Sequence, residues 1–184
     1  MKGQKMDGSI QVYYGNGRGK TTAALGLGIR AAGVGKQVIM VQFLKKKHSD
    51  TLDFLKKLEP ELQIFRFEKA ACGYSDLSPK EKQEQMLNIK NALGYSRKVL
   101  DTGQCDLLIL DDLGTEMPGQ FVTAALYTLV NDRLMEGKPM IISTNLNIGE
   151  VAQRYNPQIA SRLEGEYREL TFVGQDIRLL RKNS

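Results

Sequence analysis

Along this chain, short apolar runs alternate with stretches whose apolar residues recur every three to four positions. SIQVYYG (9–15), KQVIMVQF (36–43), LQIFRFE (62–68), CDLLILDD (105–112) and PMIISTN (139–145) predict five strands. Within them Val38 to Val41, Leu107 to Leu110 and Met140 to Ile142 are continuously apolar. That is the pattern of strands covered on both faces, where alternation is not required. An apolar helix, Ala23 to Ala32, follows the first strand. Ser78-Pro79-Lys80-Glu81 joins an N-cap serine, a proline at the first helical position and a glutamate at the third, which is a capping box. It opens a long helix carrying Met86, Ile89, Leu93 and Leu100 on one face and ending near Thr102-Gly103. Val122, Leu126, Leu129 and Val130 mark another helix, closed by Gly137. Beyond residue 146 a short helix or two lead to YRELTFV (167–173) and DIRLLR (176–181), which read as a closing hairpin. Strands alternating with helices predict an α/β fold, a three-layer, mostly parallel sheet with helices on both faces. No repeat, low-complexity tract or linker divides it.

Composition narrows the class without changing that picture. The 184 residues are 41% hydrophobic and 26% charged, as expected of one globular domain with a real core. No apolar run approaches the roughly 20 residues needed to span a bilayer. The N-terminal MKGQKMDGS lacks the hydrophobic segment of a secretion signal. Cys72 and Cys105 have no metal-ligand spacing, so a reducing cytoplasm is the expected location. The sole histidine, His48, sits beside Lys45, Lys46 and Lys47 and reads as a loop residue. A net charge of +5 permits weak attraction to nucleic acid, but the basic clusters at 45–47 and 178–182 read first as solvated surface.

The chemistry begins at YYGNGRGKTTAALG (13–26). A phosphate loop cradles a phosphate chain with backbone N–H groups at a helix N-terminus, adds a lysine, and holds magnesium with the next hydroxyl. Gly15, Asn16, Gly17, Arg18, Gly19, Lys20, Thr21 and Thr22 lie between a predicted strand and an apolar helix, which is the required context. The first glycine of GxxxxGK[ST] is replaced by Tyr14. A GxGxxG dinucleotide motif is excluded because Lys20 stands at its third glycine. ATP and Mg2+ are the ligands this loop predicts, with Lys20 on the phosphates and Thr21 on the metal.

A second half of such a site is a carboxylate at the end of a neighbouring strand, and Leu107 to Asp112 has that form. Asp111 would face the metal, and Asp112 takes the place of a water-orienting base. Ser143-Thr144-Asn145 ends the fifth strand; Asn145 is the candidate contact to the terminal phosphate, with a turn-forming asparagine as the competing reading.

Two resemblances cover different parts of the chain. Residues 1 to about 110 resemble a bacterial ATP:corrinoid adenosyltransferase of the cob(I)alamin type. The carriers are IQVYYGNGRGKTTAALGLGIRAAGVGKQVIMVQFLK, FRFEKA and LSPKEKQEQMLNIKNALGYSRKVLDTGQCDLLILD. That family's loop also lacks the first glycine. The resemblance implies that cobalt(I) attacks the 5′ carbon of ATP and triphosphate leaves, with the loop orienting the polyphosphate rather than cleaving it. It also implies a corrinoid partner, against which Tyr74 is the candidate aromatic wall.

Residues from about 107 to 184 are similar to the AAA+ core of bacterial replicative helicase loaders, through LLILDDLGTE, FVTAALYTLVNDRL, GKPMIISTNL, SRLEGEY and FVGQDIR. This implies Asp111 and Asp112 as the metal and water-orienting carboxylates, Asn145 as a phosphate sensor and Arg162 as a finger offered to a neighbouring subunit. A homo-oligomer and single-stranded DNA are the partners it implies. Gln158 stands where loaders often carry an arginine. The adenosyltransferase's usual C-terminal half and the loader's N-terminal region have no counterpart here, so the chain reads as a chimera of two related P-loop folds joined near 106–112. The expected strand order is 5-1-4-3-2 in the RecA sense, plus an extra edge strand. Binding of Mg-ATP with weak or no hydrolysis is the leading functional reading; corrinoid adenosylation and a loader-like ATPase are the alternatives.

Overall fold

The computed structural model describes residues 10–45, 54–68, 77–116 and 119–174. Tyr74, Cys72 and His48 lie outside the described residues, as does the 176–181 arm of the expected hairpin. In chain order the elements are β1 (Ile10–Tyr14), α1 (Lys20–Ala32), β2 (Val38–Lys45), a 3-10 turn (Lys56–Leu58) and β3 (Leu62–Glu68). There follow α2 (Pro79–Asp101), β4 (Leu107–Leu113), α3 (Gln120–Glu136), β5 (Met140–Thr144), α4 (Ile148–Arg154), α5 (Pro157–Glu166) and β6 (Tyr167–Thr171).

The six strands form one sheet in the order β3-β2-β4-β5-β1-β6, with parallel pairing throughout. Counted in the RecA sense, with β4, β5 and β6 as strands 3, 4 and 5 and β3 as the extra edge strand, this is 5-1-4-3-2. β6 pairs with β1 in parallel, Ile10 opposite Tyr167.

The continuous apolar runs are explained by the two faces they serve. Val38, Met40, Leu107, Ile109 and Ile141 point to one face, where they pack with Ala24 of α1. Ile39, Val41, Leu108, Leu110, Met140 and Ile142 point to the other, against Ile89 and Leu93 of α2, Leu126 and Val130 of α3, and Ile159 and Leu163 of α5. Successive strand residues thus both find a core, as side chains alternating across a covered sheet require. Such burial removes the central strands wholly from water; Val38, Val41, Leu108, Ile109 and Leu110 have 0% exposure. At roughly 1.5–3 kcal/mol for each fully buried large apolar side chain, this double-sided core is the main stabilising term.

Local signals set the helix ends. Ser78 Oγ accepts from Glu81 N, and Glu81 Oε2 accepts from Ser78 N, so both halves of the capping box form. Hydrogen bonding to Ser78 holds the Glu81 carboxyl below its usual range. The helix ends at Thr102. Gly137 caps α3 with φ 61°, a left-handed conformation that glycine adopts without steric cost. Because every strand is parallel, β1, β2, β4 and β5 all end on the same edge of the sheet. That edge gathers the polar residues of the site.

Candidate phosphate-binding site

The loop from Gly15 leads out of β1 into the N-terminus of α1, whose N-cap is Gly19 at φ 102°. A Cβ at Gly17 would lie 2.6 Å from both the carbonyl carbon and the oxygen of Phe172, and a Cβ at Gly15 would lie 2.6 Å from that oxygen. The chain just past β6 therefore lies directly on the loop. Phe172 N donates to Tyr14 O and Gly17 N donates to Phe172 O, each at 2.8 Å. The two glycines are where they are because backbone passes at contact distance.

Lys20 folds its side chain back over the loop. Its Nζ donates to Gly15 O and, at 2.9 Å, to Gly17 O. The residue is 6% exposed. Burial pulls the ammonium below its usual range, while the charges of Asp112 and Asp111 push back. An ammonium has three donors, so a lysine held this way anchors the loop and still presents charge. Asn16, Arg18, Gly19 and Thr22 are exposed along the rim.

Thr21 Oγ1 donates to Asp111 Oδ1 at 2.9 Å. Asp111 is completely buried and accepts two further side-chain bonds, from Ser143 Oγ to Oδ1 and from Gln42 Nε2 to Oδ2. Gln42 is in turn fixed by Arg66, whose Nε donates to Gln42 Oε1 at 2.9 Å. The first turn of α1, β2 and β5 thus converge on one carboxylate of β4, with β3 holding the β2 partner. Buried charge demands such pairing.

Asp112 sits at a bulge beside this network. The β4–β5 ladder shifts register between Leu110 and Leu113, and Asp112 takes φ 63°. A bulge at the end of a strand re-aims the side chains that follow it. Asp111 is buried and Asp112 half-buried, and both are near enough to act electrostatically on Lys20. Asp112 N donates to Ser143 Oγ at 3.0 Å, so the same serine fixes both residues.

Asn145 and Arg162 are the remaining expected residues. Asn145 is exposed just past the end of β5, the strand between β1 and β4. Arg162, on α5, donates through Nη2 to the Tyr127 hydroxyl at 2.9 Å, and its guanidinium carbon lies 5.0 Å from the Tyr127 ring centre. Tyr127 and Gln158 line an open groove of about 640 Å³ together with Arg154, separate from the phosphate loop.

Sequence reasoning missed Gln42, Arg66 and a second buried group. Gln42 had a signal: it is the one polar residue interrupting the apolar run Val38 to Phe43. Glu116, 1% exposed, accepts from Gly114 N at 2.7 Å and from the Tyr155 hydroxyl. Arg154 Nη2 donates to Glu116 O, and its Nε lies 3.9 Å from Oε1. Burial and the Glu116 charge push the Tyr155 hydroxyl well above its usual range. This group ties the loop after β4 to α4. Nothing in sequence spacing marked it.

A glycine-rich loop closing on a helix N-terminus, with lysine, hydroxyl and a strand-end carboxylate, on a parallel sheet of this order, defines a P-loop NTPase fold. The solved structures similar to the chain agree. Domain III of the Thermotoga maritima replication initiation protein DnaA matches 98% of this chain and 61% of its own, at TM-score 0.54 and 16% identity. A DnaA bound to AMPPCP and single-stranded DNA matches 91% and 41%, at TM-score 0.52 and 16% identity. The DnaC helicase loader matches 91% and 80%, at TM-score 0.50 and 18% identity. At such identities the likeness is one of fold.

The family model for ATP:corrinoid adenosyltransferase BtuR/CobO/CobP matches residues 6–141, and the chain belongs to that family. Corrinoid adenosyltransferase CobA of Salmonella typhimurium is 54% identical over 110 residues, which are 60% of this chain and 54% of that protein. The corrinoid adenosyltransferase of Escherichia coli K12 is 33% identical over 106 residues, 58% and 52% respectively. The chain spans about half the length of the curated relatives it matches. Among the described residues no helix is long and apolar enough to cross a membrane.

Proposed function

We propose that the chain binds Mg-ATP through Gly15 to Thr22 and hydrolyses it weakly or not at all. The observation that carries this is the Thr21–Asp111 hydrogen bond beside a loop anchored by Lys20. Mg2+ takes oxygen ligands and keeps several of its waters, so one hydroxyl and one carboxylate suffice. Thr21 Oγ1 and Asp111 Oδ1 are adjacent oxygens and fit that ion, which when bound would offset the charge of the polyphosphate. Lys20 and the rim amides of the loop would hold the phosphates themselves.

The groups that hydrolysis adds are less gathered. Asp112 is the candidate to orient water. Asn145 is exposed, and Arg162 rests on Tyr127 of its own chain. A finger acting on a neighbour's ATP needs a second copy facing the loop. This supports binding over turnover. A chimera, adenosyltransferase-like to about residue 110 and loader-like from about 107, is the finer reading. The curated relatives align over 106 and 110 residues, close to the length of the adenosyltransferase-like part, while the family model runs on to residue 141, past the proposed junction.

Corrinoid adenosylation is the second reading, favoured by the family membership and by Tyr14 in place of the first loop glycine. In it the loop holds the triphosphate as a leaving group while cobalt(I) bonds to the 5′ carbon, and Tyr74 is the candidate contact to the corrin.

One assay separates these readings. Protein, Mg-ATP and chemically reduced cobalamin are incubated, and ADP, triphosphate and adenosylcobalamin are resolved. Intact ATP with a nucleotide-dependent rise in stability supports binding alone; about 2.7 kcal/mol is expected at a hundredfold excess over Kd. Triphosphate with adenosylcobalamin supports the second reading, and ADP with phosphate a loader-like ATPase. No rise in thermal stability at millimolar Mg-ATP overturns the proposal.

A further inference from the structure

Arg66, Gln42 and Asp111 occupy one row across three strands. The register places Gln42 opposite Asp111 between β2 and β4, and opposite Arg66 between β2 and β3. Their side chains form a directed series, Arg66 Nε to Gln42 Oε1 and Gln42 Nε2 to Asp111 Oδ2, each 2.9 Å. We propose that Arg66 and Gln42 are positioning residues that orient the Asp111 carboxylate toward Thr21 and so set the affinity of the site for a divalent cation. The inference rests on the reading of Asp111 as a cation-holding carboxylate and names the device that aims it.

The direction of the series follows from the donor inventory. A guanidinium only donates, so Arg66 selects the amide orientation that turns Gln42 oxygen toward β3. The Gln42 amide nitrogen must then face β4, where only an acceptor satisfies it. Asp111 Oδ2 is that acceptor. With Oδ2 tethered, rotation about the carboxylate is stopped, and Oδ1 stays beside Thr21 Oγ1 and Ser143 Oγ. Gln42 is 4% exposed and Asp111 0%, so water cannot easily stand in for a lost donor. Ser143 and Thr21 both act on Oδ1, and Gln42 acts on Oδ2. Outer groups that fix a metal ligand in this manner change metal affinity about 10- to 100-fold when removed.

The test is the Mg2+ dependence of ATP binding, read with a fluorescent ATP analogue titrated at a series of free Mg2+ concentrations and in EDTA. Gln42→Met keeps the length of the side chain and loses the donor. Arg66→Met, nearer the sheet edge, leaves Gln42 in place but frees its amide to turn, and serves should Gln42→Met fold poorly. The expected result is a rise of roughly tenfold or more in the Mg2+ midpoint for either variant, with a much smaller change in EDTA. Arg66→Lys, which keeps a donor, recovers part of the loss, and the double variant is no worse than Gln42→Met alone because the two act in series. A wild-type midpoint in both methionine variants overturns the proposal, as does an equal loss in EDTA. Wild-type binding that ignores Mg2+ would remove the underlying reading instead, and the relay with it.

Discussion

Thr21 Oγ1 and Asp111 Oδ1 meet at 2.9 Å although 90 residues separate them in the chain. The contact exists because β1 and β4 flank β5 in a parallel sheet, so the loop leaving β1 and the end of β4 share an edge. Thr21→Ala removes one oxygen from the pair and is expected to weaken Mg2+-dependent ATP binding about tenfold, or ~1.4 kcal/mol. Asp111→Asn goes further. Asparagine brings an amide donor into a place where Thr21, Gln42 and Ser143 all donate, and only one acceptor atom remains for them. It should abolish the Mg2+ effect and lower stability by about 1–3 kcal/mol. Nucleotide titration with and without EDTA, followed by urea denaturation, checks both parts.

Gly17 in the loop and Gly26 in α1 make opposite predictions. Gly17→Ala drives a methyl to 2.6 Å from the backbone of Phe172. Backbone cannot turn away as a flexible side chain can, so the 172–173 segment must shift and the Gly17 N to Phe172 O bond lengthens. A loss of about 1–3 kcal/mol is expected, as for other overpacked sites. Gly26 lies exposed in the middle of α1 with nothing within 4 Å of its would-be Cβ. There alanine relieves the entropy cost of glycine in a helix and should stabilise by roughly 0.5–1 kcal/mol. Thermal denaturation of the two variants reads opposite signs if the contact geometry is right.

The buried Glu116 holds the loop after β4 against α4 through Gly114 N, Arg154 and Tyr155. Glu116→Ala leaves Arg154 without its carboxylate and Tyr155 without its acceptor. The expected cost is about 2–3 kcal/mol, the upper part of the range for leaving buried hydrogen-bonding groups unpaired, because Arg154 is partly exposed and keeps some water. Tyr155→Phe removes a single donor and should cost only about 1–2 kcal/mol. Because burial and Glu116 raise the Tyr155 pKa, its hydroxyl remains a donor throughout the neutral range, and the difference between the two variants should not depend on pH there. Chemical denaturation at two neutral pH values tests this.

How much of this was legible beforehand depends on the range of each interaction. Strand 62–68 was read to the residue, because an apolar run bounded by Pro60 and acidic residues is a local signal. The capping box at Ser78 and the stop at Gly137 are local too, and both formed. Lys20, Thr21 and Asp111 were named because their chemistry comes in a fixed spacing within each half, and the sheet then brings the halves together. Gln42 carried a readable signal, a polar residue inside a buried strand, but its meaning depended on strand register, which no local pattern specifies. Arg162 was read as a finger from its setting in Ser-Arg-Leu; its contact with Tyr127 depends on how α5 packs on α3. Glu116, Arg154 and Tyr155 are brought together by the same kind of packing.

Arg133 offers the strongest test of what burial costs in this fold. It is fully buried at the end of α3, and its Nη2 donates to the backbone oxygen and the sulfur of Cys105, each at 3.2 Å. Its Nε and Nη1 have no hydrogen-bond partner among the described residues. A guanidinium carries five donors, and a buried cation so incompletely paired is costly. Arg133→Met keeps an unbranched chain of similar reach and deletes the cation. It leaves the Cys105 carbonyl short of one donor, about 1 kcal/mol, and relieves a larger desolvation penalty, so the variant should be at least as stable as the parent. Arg133→Ala gives the same relief but empties the volume the side chain filled, and should fall below Arg133→Met by about 2 kcal/mol or more. Urea midpoints at constant slope compare the three proteins directly. Should methionine cost as much as alanine, the guanidinium would be making net favourable bonds, and its burial would be a source of stability rather than a tolerated expense.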